Sequence, residues 1–344
     1  MVKKTKEVVT EPIKESIQAK IARLSKEIGI ELKTDKDIVS ADRVSTGYLS
    51  IDYLLNGGME VGTIISIYGA ESSLKTTIGL KMLAEAQKRG DSCLILNIEE
   101  GFNPRRLIDL GIDTSTLAIY DEKVTGEEYY EIVSKVIDSF DFILIDSISA
   151  MQPKIDDDKA LDESTIRGME ATMHSRGLRK VIRNKKECIL VLIAHEKNKV
   201  NTPVPSTYMP GGKSPHYYSN YILNTKVKDR YDDNWKSVKQ DINKERDNDI
   251  KGYELAVIGK KIRNASPNKT MNLQIELKTG DTRKGHEIAK MGLLTGKIIQ
   301  GGAFYTIEGV ENKIQGFDNL ASFLDNDKDL YNRLYKSILK TIKE

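Results

Sequence analysis

A chain of 344 residues with 39% hydrophobic and 30% charged side chains carries enough apolar material for a sizeable core, either one large α/β domain with appendages or two domains. Its 53 basic and 51 acidic residues leave a formal net charge of +2, so overall charge announces no polyanionic partner and any such site is local. No apolar run approaches the ~20 residues that span a bilayer, and the opening MVKKTKEVVT lacks the apolar segment of a secretory signal; Cys93 and Cys188 each lie inside an apolar run and read as buried thiols of a reducing cytoplasm.

Near the N-terminus, Ile13, Ile17, Ile21 and Leu24 recur at helical spacing and Gly29 ends the pattern, which predicts a helix with one apolar face. Amphipathic spacing does not separate packing on the chain's own core from docking on a neighbouring subunit. From about Ile38, strand-like and helix-like segments alternate, which predicts a mainly parallel sheet covered by helices. The predicted strands are Thr63–Tyr68, Cys93–Ile98, Leu117–Tyr120, Phe142–Asp146 and Cys188–Ala194; the predicted helices are Lys75–Arg89, Pro104–Leu110, Gly126–Phe140 and Thr165–Asn184.

Between the first of these strands and its helix stands GAESSLKTT, Gly69 to Thr77. Strand, loop, helix is the context of a phosphate loop. Backbone N–H groups from Gly69 through Glu71, Ser72, Ser73 and Leu74 would surround phosphates, the helix N-terminus adds its positive dipole end, Lys75 neutralises phosphate charge, the Thr76 hydroxyl ligates Mg²⁺ and Thr77 closes the motif. The pattern G-x-x-x-x-G-K-[ST] has Leu74 in place of its second glycine, and because leucine is strained at positive φ, ordinary right-handed geometry is expected there. The alternative is a polar turn with Ser72 or Ser73 capping the helix.

In open sheets of this kind ligands sit at the carboxyl ends of strands, and three predicted strands end in polar residues. CLILNI runs into Glu99 and Glu100, a carboxylate placed to orient and deprotonate an attacking water. FILI ends in Asp146, the acid that would hold Mg²⁺ beside the loop hydroxyl. CILVLIA runs into His195, suited to sensing a γ-phosphate. A solvated charge pair, a capping Asp and an ordinary strand-end histidine are the respective alternatives.

Beyond the strands, the segment from Met151 to Arg167 is acidic apart from Lys154, Lys159 and Arg167, and leads into a helix carrying Arg176, Arg179, Lys180 and Arg183. Such cations give sequence-independent DNA affinity by releasing counterions, and the alternative is a solvated basic helix face. Lys197 to Ser214 has three prolines before Gly211 and Gly212 and little regular pattern; Val200, Val204, Tyr208 and Met209 are placed to stack on bases, and Lys197, Lys199 and Lys213 to meet phosphates. A strand at Tyr221–Val227 precedes a charged run, Lys228 to Lys251, read as a surface insertion, and two further strands, YELAVIG and MNLQIEL, flank KKIRNASPNK. The C-terminal part reads as a helix at His286–Leu294, a strand-turn signature GGAFYTIEG, and a last helix with Leu330, Leu334, Ile338 and Ile342 on one face, together a cap on the core. The expected organisation is a helical segment over 1–40, a core over 41–283 and a small α+β region over 284–344.

GAESSLKTT, NIEEGFNPRRLIDLGID, FILIDSISAMQPK and the stretch from His195 to Gly212 together resemble the RecA-type strand-exchange recombinases, in register over roughly residues 40 to 325. A bulky residue in the phosphate loop and a histidine at 195 are similar, more narrowly, to the UvsX-type phage recombinases. The resemblance implies a RecA-like P-loop ATPase core that binds ATP and Mg²⁺, with Lys75 and Thr76 on the phosphates and the ion, Glu99 as catalytic carboxylate, Asp146 on the Mg²⁺ side and His195 coupling nucleotide state to DNA binding. It implies that Lys261 and Arg263 reach across a subunit interface to the neighbour's ATP, and that the two long loops face DNA. Partners implied are single-stranded DNA, homologous duplex DNA, copies of the chain in a helical filament, and a mediator and a single-strand binding protein, in the cytoplasm of a bacterial host. Arg106 stands where the family has an aromatic residue near the adenine, and Asn103 where it has an aspartate. A ring-forming RecA-fold helicase or motor and a non-hydrolysing mediator remain the alternatives.

Overall fold

The computed structural model describes residues 16–29, 42–99, 103–154, 163–198, 207–238, 250–263 and 265–343. The chain divides into two compact units, residues 1–41 and 42–344. In the first, α1 (Ile17–Ile28) is capped by Ser16, whose hydroxyl accepts from the Ala19 N–H, and Gly29 ends it in the left-handed region at φ 67°. None of its residues is buried. Ile13 lies outside the described residues.

The second unit opens with an antiparallel pair, β1 (Arg43–Val44) and β2 (Met59–Glu60), joined through α2 (Leu49–Leu54). The alternation then runs β3 (Ile64–Gly69), α3 (Lys75–Arg89), β4 (Cys93–Asn97), α4 (Pro104–Asp109), β5 (Leu117–Tyr120), α5 (Gly126–Val136), β6 (Phe142–Asp146), α6 (Glu163–Asn184) and β7 (Ile189–His195). A short pair, β8 (Lys197–Asn198) and β9 (Thr207–Tyr208), and α7 (Lys213–Tyr218) lead to three long strands, β10 (Tyr221–Tyr231), β11 (Gly252–Ile262) and β12 (Lys269–Glu276). The chain closes with α8 (Lys284–Leu294), β13 (Ile298–Gly301), β14 (Phe304–Ile307), β15 (Ile314–Gln315), α9 (Phe317–Asn326) and α10 (Lys328–Lys343).

Eight strands form one sheet in the order β12-β11-β10-β3-β7-β6-β4-β5, parallel from β10 to β5 and antiparallel at the β11 and β12 edge. Its central strands are buried on both faces, which is why they read as unbroken apolar runs. Alternate residues feed two cores. Ile65, Ile67, Leu144, Val191 and Ile193 join α2, α3 and the C-terminal helices, while Ile64, Ile143, Ile145, Leu190 and Leu192 pack against α5 and α6. Gly79 lets α3 lie close on the sheet, since a Cβ there would sit 2.9 Å from Leu144 Cδ1.

The strands and helices of the alternating region fall within a residue or two of expectation except α5, which ends at Val136 and passes into a 3-10 turn over Ile137–Ser139 where helix to Phe140 is expected; Cys93 and Cys188 are buried. Two further boundaries differ. The strand expected to end at Val227 continues to Tyr231, because β11 offers a ladder as far as Tyr231 opposite Gly252, and a bulge between Val227 and Asp229 resets the alternation so that charged side chains there face outward. The same ladder takes Lys260 and Lys261 into β11, out of the expected turn. Residues 239–249 of the charged run lie outside the described residues. In the C-terminal part, α9 arises from a stretch that the sequence left without an element, and Leu330, Leu334, Ile338 and Ile342 are buried as the last helix predicts. Among the described residues no helix is long and apolar enough to cross a membrane.

Candidate nucleotide site and nucleic-acid face

The parallel register brings the polar strand ends to one line. Gly69 at the end of β3 is level with His195 at the end of β7, and Asn97 of β4 is level with Asp146 of β6, so Glu99, two residues further on, overhangs Asp146. The Ile98 and Glu99 N–H groups both donate to the Asp146 carbonyl, at 2.8 and 3.2 Å, which fixes the departing chain.

The loop from Gly69 to Leu74 closes on itself. Ser73 is buried and its hydroxyl lies 2.7 Å from the Ala70 carbonyl and 2.9 Å from Thr225 Oγ1 of β10. Gly69 is required by this closeness: a Cβ there would stand 2.5 Å from the Thr225 carbonyl and 2.6 Å from Ser73 Oγ. Glu71 and Ser72 are exposed, and no side chain caps α3, which excludes the Ser72 or Ser73 capping turn and leaves the first-turn N–H groups to an external acceptor.

Leu74 corrects the expectation of right-handed geometry. It has φ 60° and ψ 20°, left-handed, with Ser72 also at φ 58°. The chain must reverse from strand to helix in a few residues with its N–H groups turned inward, and that turn demands αL at the residue before Lys75 whatever the side chain. Leucine costs about 1–2 kcal/mol in this region. Its side chain, partly buried against the main core, offsets the strain.

Lys75 is buried, and its ammonium donates to the Ala70 carbonyl at 2.6 Å. Burial lowers its pKa, and the carboxylates of Asp146 and Glu99 oppose that shift. The Thr76 hydroxyl donates to Asp146 Oδ2 at 2.8 Å, while Asp146 Oδ1 is buried with no hydrogen-bond partner among the described residues. Burial pushes the Asp146 carboxyl up to about 6, with the Thr76 bond pulling the other way and the Glu99 charge adding to the rise. An unpartnered buried carboxylate oxygen beside a hydroxyl suits a hard divalent cation that keeps its other positions for water and phosphate oxygens, so the donor set fits Mg²⁺. Glu99 Oε1 accepts from the Ser147 hydroxyl and lies 2.7 Å from His195 Nε2, whose backbone N–H donates to Ser149 Oγ at 2.9 Å. Thr77 is buried and accepts from Arg106 Nη2 at 3.3 Å, and Arg106 Nη1 donates to the Lys278 carbonyl at 2.6 Å. Asn103 caps α4, its side chain accepting from the Arg105 N–H.

The profile of the RecA N-terminal domain matches residues 13–280. The chain is 30% identical to Protein RecA of Clostridium acetobutylicum over 337 residues, covering 94% of this chain and 90% of that protein. It is 30% identical to Protein RecA of Mesomycoplasma hyopneumoniae (strain 7448) over 345 residues, covering 96% of each. The chain belongs to the RecA family. It is a RecA-type recombinase, and members of this family are DNA-dependent ATPases. Among solved structures, the fold is similar to that of the RadB recombinase, with a TM-score of 0.52, 19% identity, and coverage of 69% of this chain and 97% of that one.

The remaining site residues predicted from the RecA resemblance lie apart from the phosphate loop. The Lys261 ammonium donates to the carbonyls of His216 and Tyr217, each at 3.0 Å, and Arg263 pairs with Glu60 at 3.2 Å. Of the residues expected to meet nucleic acid, Lys154 is exposed at the start of the first loop, and Arg176 and Arg179 are exposed on α6. Arg167 is on α6, and Lys199 lies outside the described residues. Lys197 pairs with Glu170 of α6 at 3.5 Å, Tyr208 is on β9, Gly211 and Gly212 have φ 90° and 74°, and Lys213 begins α7. Sequence reasoning assigned no part to Ser147, which follows the strand-end Asp146 directly and was findable there, nor to Thr225, which a parallel neighbour 152 positions away brings to Ser73 and which carries no sequence signal.

Proposed function

We propose that the chain is an ATP-hydrolysing recombinase that assembles as a helical filament on single-stranded DNA and catalyses pairing and strand exchange with homologous duplex. The observation that carries the reading is the single hydrogen-bonded constellation of Thr76, Asp146, Ser147, Glu99 and His195 at the strand ends, with the Lys75 ammonium beside it. Bound Mg²⁺ supplies charge neutralisation at the phosphate oxygens. Thr76 and Asp146 would hold the ion, and the Lys75 ammonium, now on the Ala70 carbonyl, would be free to turn to a phosphate oxygen. Glu99 accepts the proton of the attacking water, and Ser147 and His195 aim its carboxylate. His195 touches Glu99 and begins the segment leading to the second loop, so a change at Glu99 on nucleotide turnover would reach that loop through it. The pairing of His195 with Leu74 supports placement near the UvsX-type phage recombinases, and hence action in a bacterial host's cytoplasm with a mediator and a single-strand binding protein.

Lys261 and Arg263 complete the site of the adjacent protomer in the assembled filament, which couples hydrolysis to assembly. The apolar stripe of α1, with Ile17 and Ile28 exposed and Ile21 and Leu24 half-buried, suits residues 1–40 to contact between subunits, with 41–283 as the ATPase and DNA-binding core and 284–344 as its cap. Glu99→Gln tests the assignment: ATP affinity is expected to stay within about threefold while turnover falls at least ~100-fold, on the scale of a lost general base. Turnover near wild type in this variant contradicts it.

A further inference from the structure

His174 lies on α6, in the same helix as Arg176 and Arg179, and takes no part in the nucleotide site. It is 3% exposed. Its Nδ1 stands 2.7 Å from Tyr130 Oη of α5, with the two rings edge to face at 5.8 Å between centroids. Burial raises the Tyr130 phenol well above its ordinary value and lowers the imidazole to about 4, with the Lys197 charge adding to the second shift. The phenol therefore donates to a neutral imidazole, which leaves the proton of the ring on Nε2. That edge of the ring faces the second loop: a methyl group on Gly211 would lie 3.2 Å from His174 Cδ2 and 3.5 Å from Nε2.

Two further contacts tie the same loop base to the same helix. A Cβ on Gly212 would be 2.9 Å from Ala171 Cβ, and Lys197, at the other foot of the loop, pairs with Glu170 at 3.5 Å. Because β8 and β9 pair with each other, Lys197 opposite Tyr208, both feet move together. On the far side α5 is pressed against α6, for Gly177 allows the Tyr130 ring to within a distance that any side chain would block. Glu170, Ala171 and His174 thus form one docking line on the helix that continues from the first loop.

We propose that His174 is a positioning residue for the nucleic-acid grip. Held by Tyr130 on one side and abutting Gly211 on the other, it fixes the base of the second loop on α6, the helix that carries Arg176 and Arg179. The inference rests on the DNA-binding reading given above. Replacing the imidazole with a ring that accepts no hydrogen bond orphans the buried phenol and frees the ring to turn against Gly211.

The test is ATP turnover of the full chain titrated with an oligo(dT) single strand. For His174→Phe, basal turnover without DNA is expected within about twofold of wild type, while the oligonucleotide concentration for half-maximal stimulation rises at least fivefold. His174→Gln, which keeps an acceptor for the phenol, returns that concentration to within about twofold. If His174→Phe does not fold, Tyr130→Phe removes the same hydrogen bond from the α5 side and is expected to give the same split between basal turnover and half-saturation. A wild-type response to DNA that both variants share unchanged, or a parallel fall of basal and stimulated turnover in both, overturns the proposal. A wild-type chain indifferent to the oligonucleotide overturns instead the reading on which it rests.

Discussion

At Asp146 the fold holds a carboxyl in a place that favours its neutral form. Its pKa is raised to about 6 from an ordinary 3.8, so the stability it lends is full below about pH 4 and is lost as pH rises through 6. Ion binding has the opposite sign, because the ligand form is the carboxylate. Apparent Mg²⁺ affinity, measured by titration in the presence of nucleotide, is therefore expected to fall steeply as pH drops below about 6, and Asp146→Asn to bind weakly at every pH. A flat profile in the wild-type chain would remove Asp146 from the ion site. Leu74→Gly separates strain from packing: relief of αL strain and loss of partial burial oppose each other, each on the order of 1–2 kcal/mol, so urea denaturation is expected to show a net change under about 1 kcal/mol. The acids and the histidine at strand ends were legible because an apolar run that stops at a charged residue marks the ligand-facing edge of a parallel sheet. The conformation of Leu74 was not, since it is dictated by the path of the loop and runs against the preference of its side chain.

The elements divide by how local their causes are. β3, β6 and α3 were legible because unbroken apolar runs and a 3.6-residue period are written in adjacent residues. The extension of β10 to Tyr231 and the inclusion of Lys261 in β11 depend on a ladder between segments that the sequence cannot pair, and a bulge hides the alternation that would announce them. The last helix behaves as its period predicts, with Ile338 fully buried between it and the core. Ile338→Ala is expected to lower unfolding free energy by about 2–5 kcal/mol, measured by chemical denaturation, with ATP affinity unchanged. A loss below about 0.5 kcal/mol would mean that α10 does not share the core's cooperative unit.

On the scale of the molecule, the predicted site residues fall into three places: the strand ends with the phosphate loop, the α6 and second-loop face, and the β11 edge with Lys261 and Arg263. Only the first is internally complete. Lys261 and Arg263 are held by groups of their own protomer, Lys261 by the His216 and Tyr217 carbonyls and Arg263 by Glu60, and their action on an adjacent subunit is the part of the proposal that a variant tests. Arg263→Ala is expected to cut DNA-stimulated turnover at least ~10-fold, the effect of a lost arginine finger, with ATP affinity within about twofold. Equal turnover in that variant would confine the active site to one protomer. The most direct measurement is the rate of ATP hydrolysis by the purified chain with and without single-stranded DNA. The rate is expected to be low alone and to rise at least tenfold on adding the strand, with Lys75→Ala inactive in both conditions; hydrolysis at the same rate with and without DNA would contradict a nucleotide site wired to a nucleic-acid face.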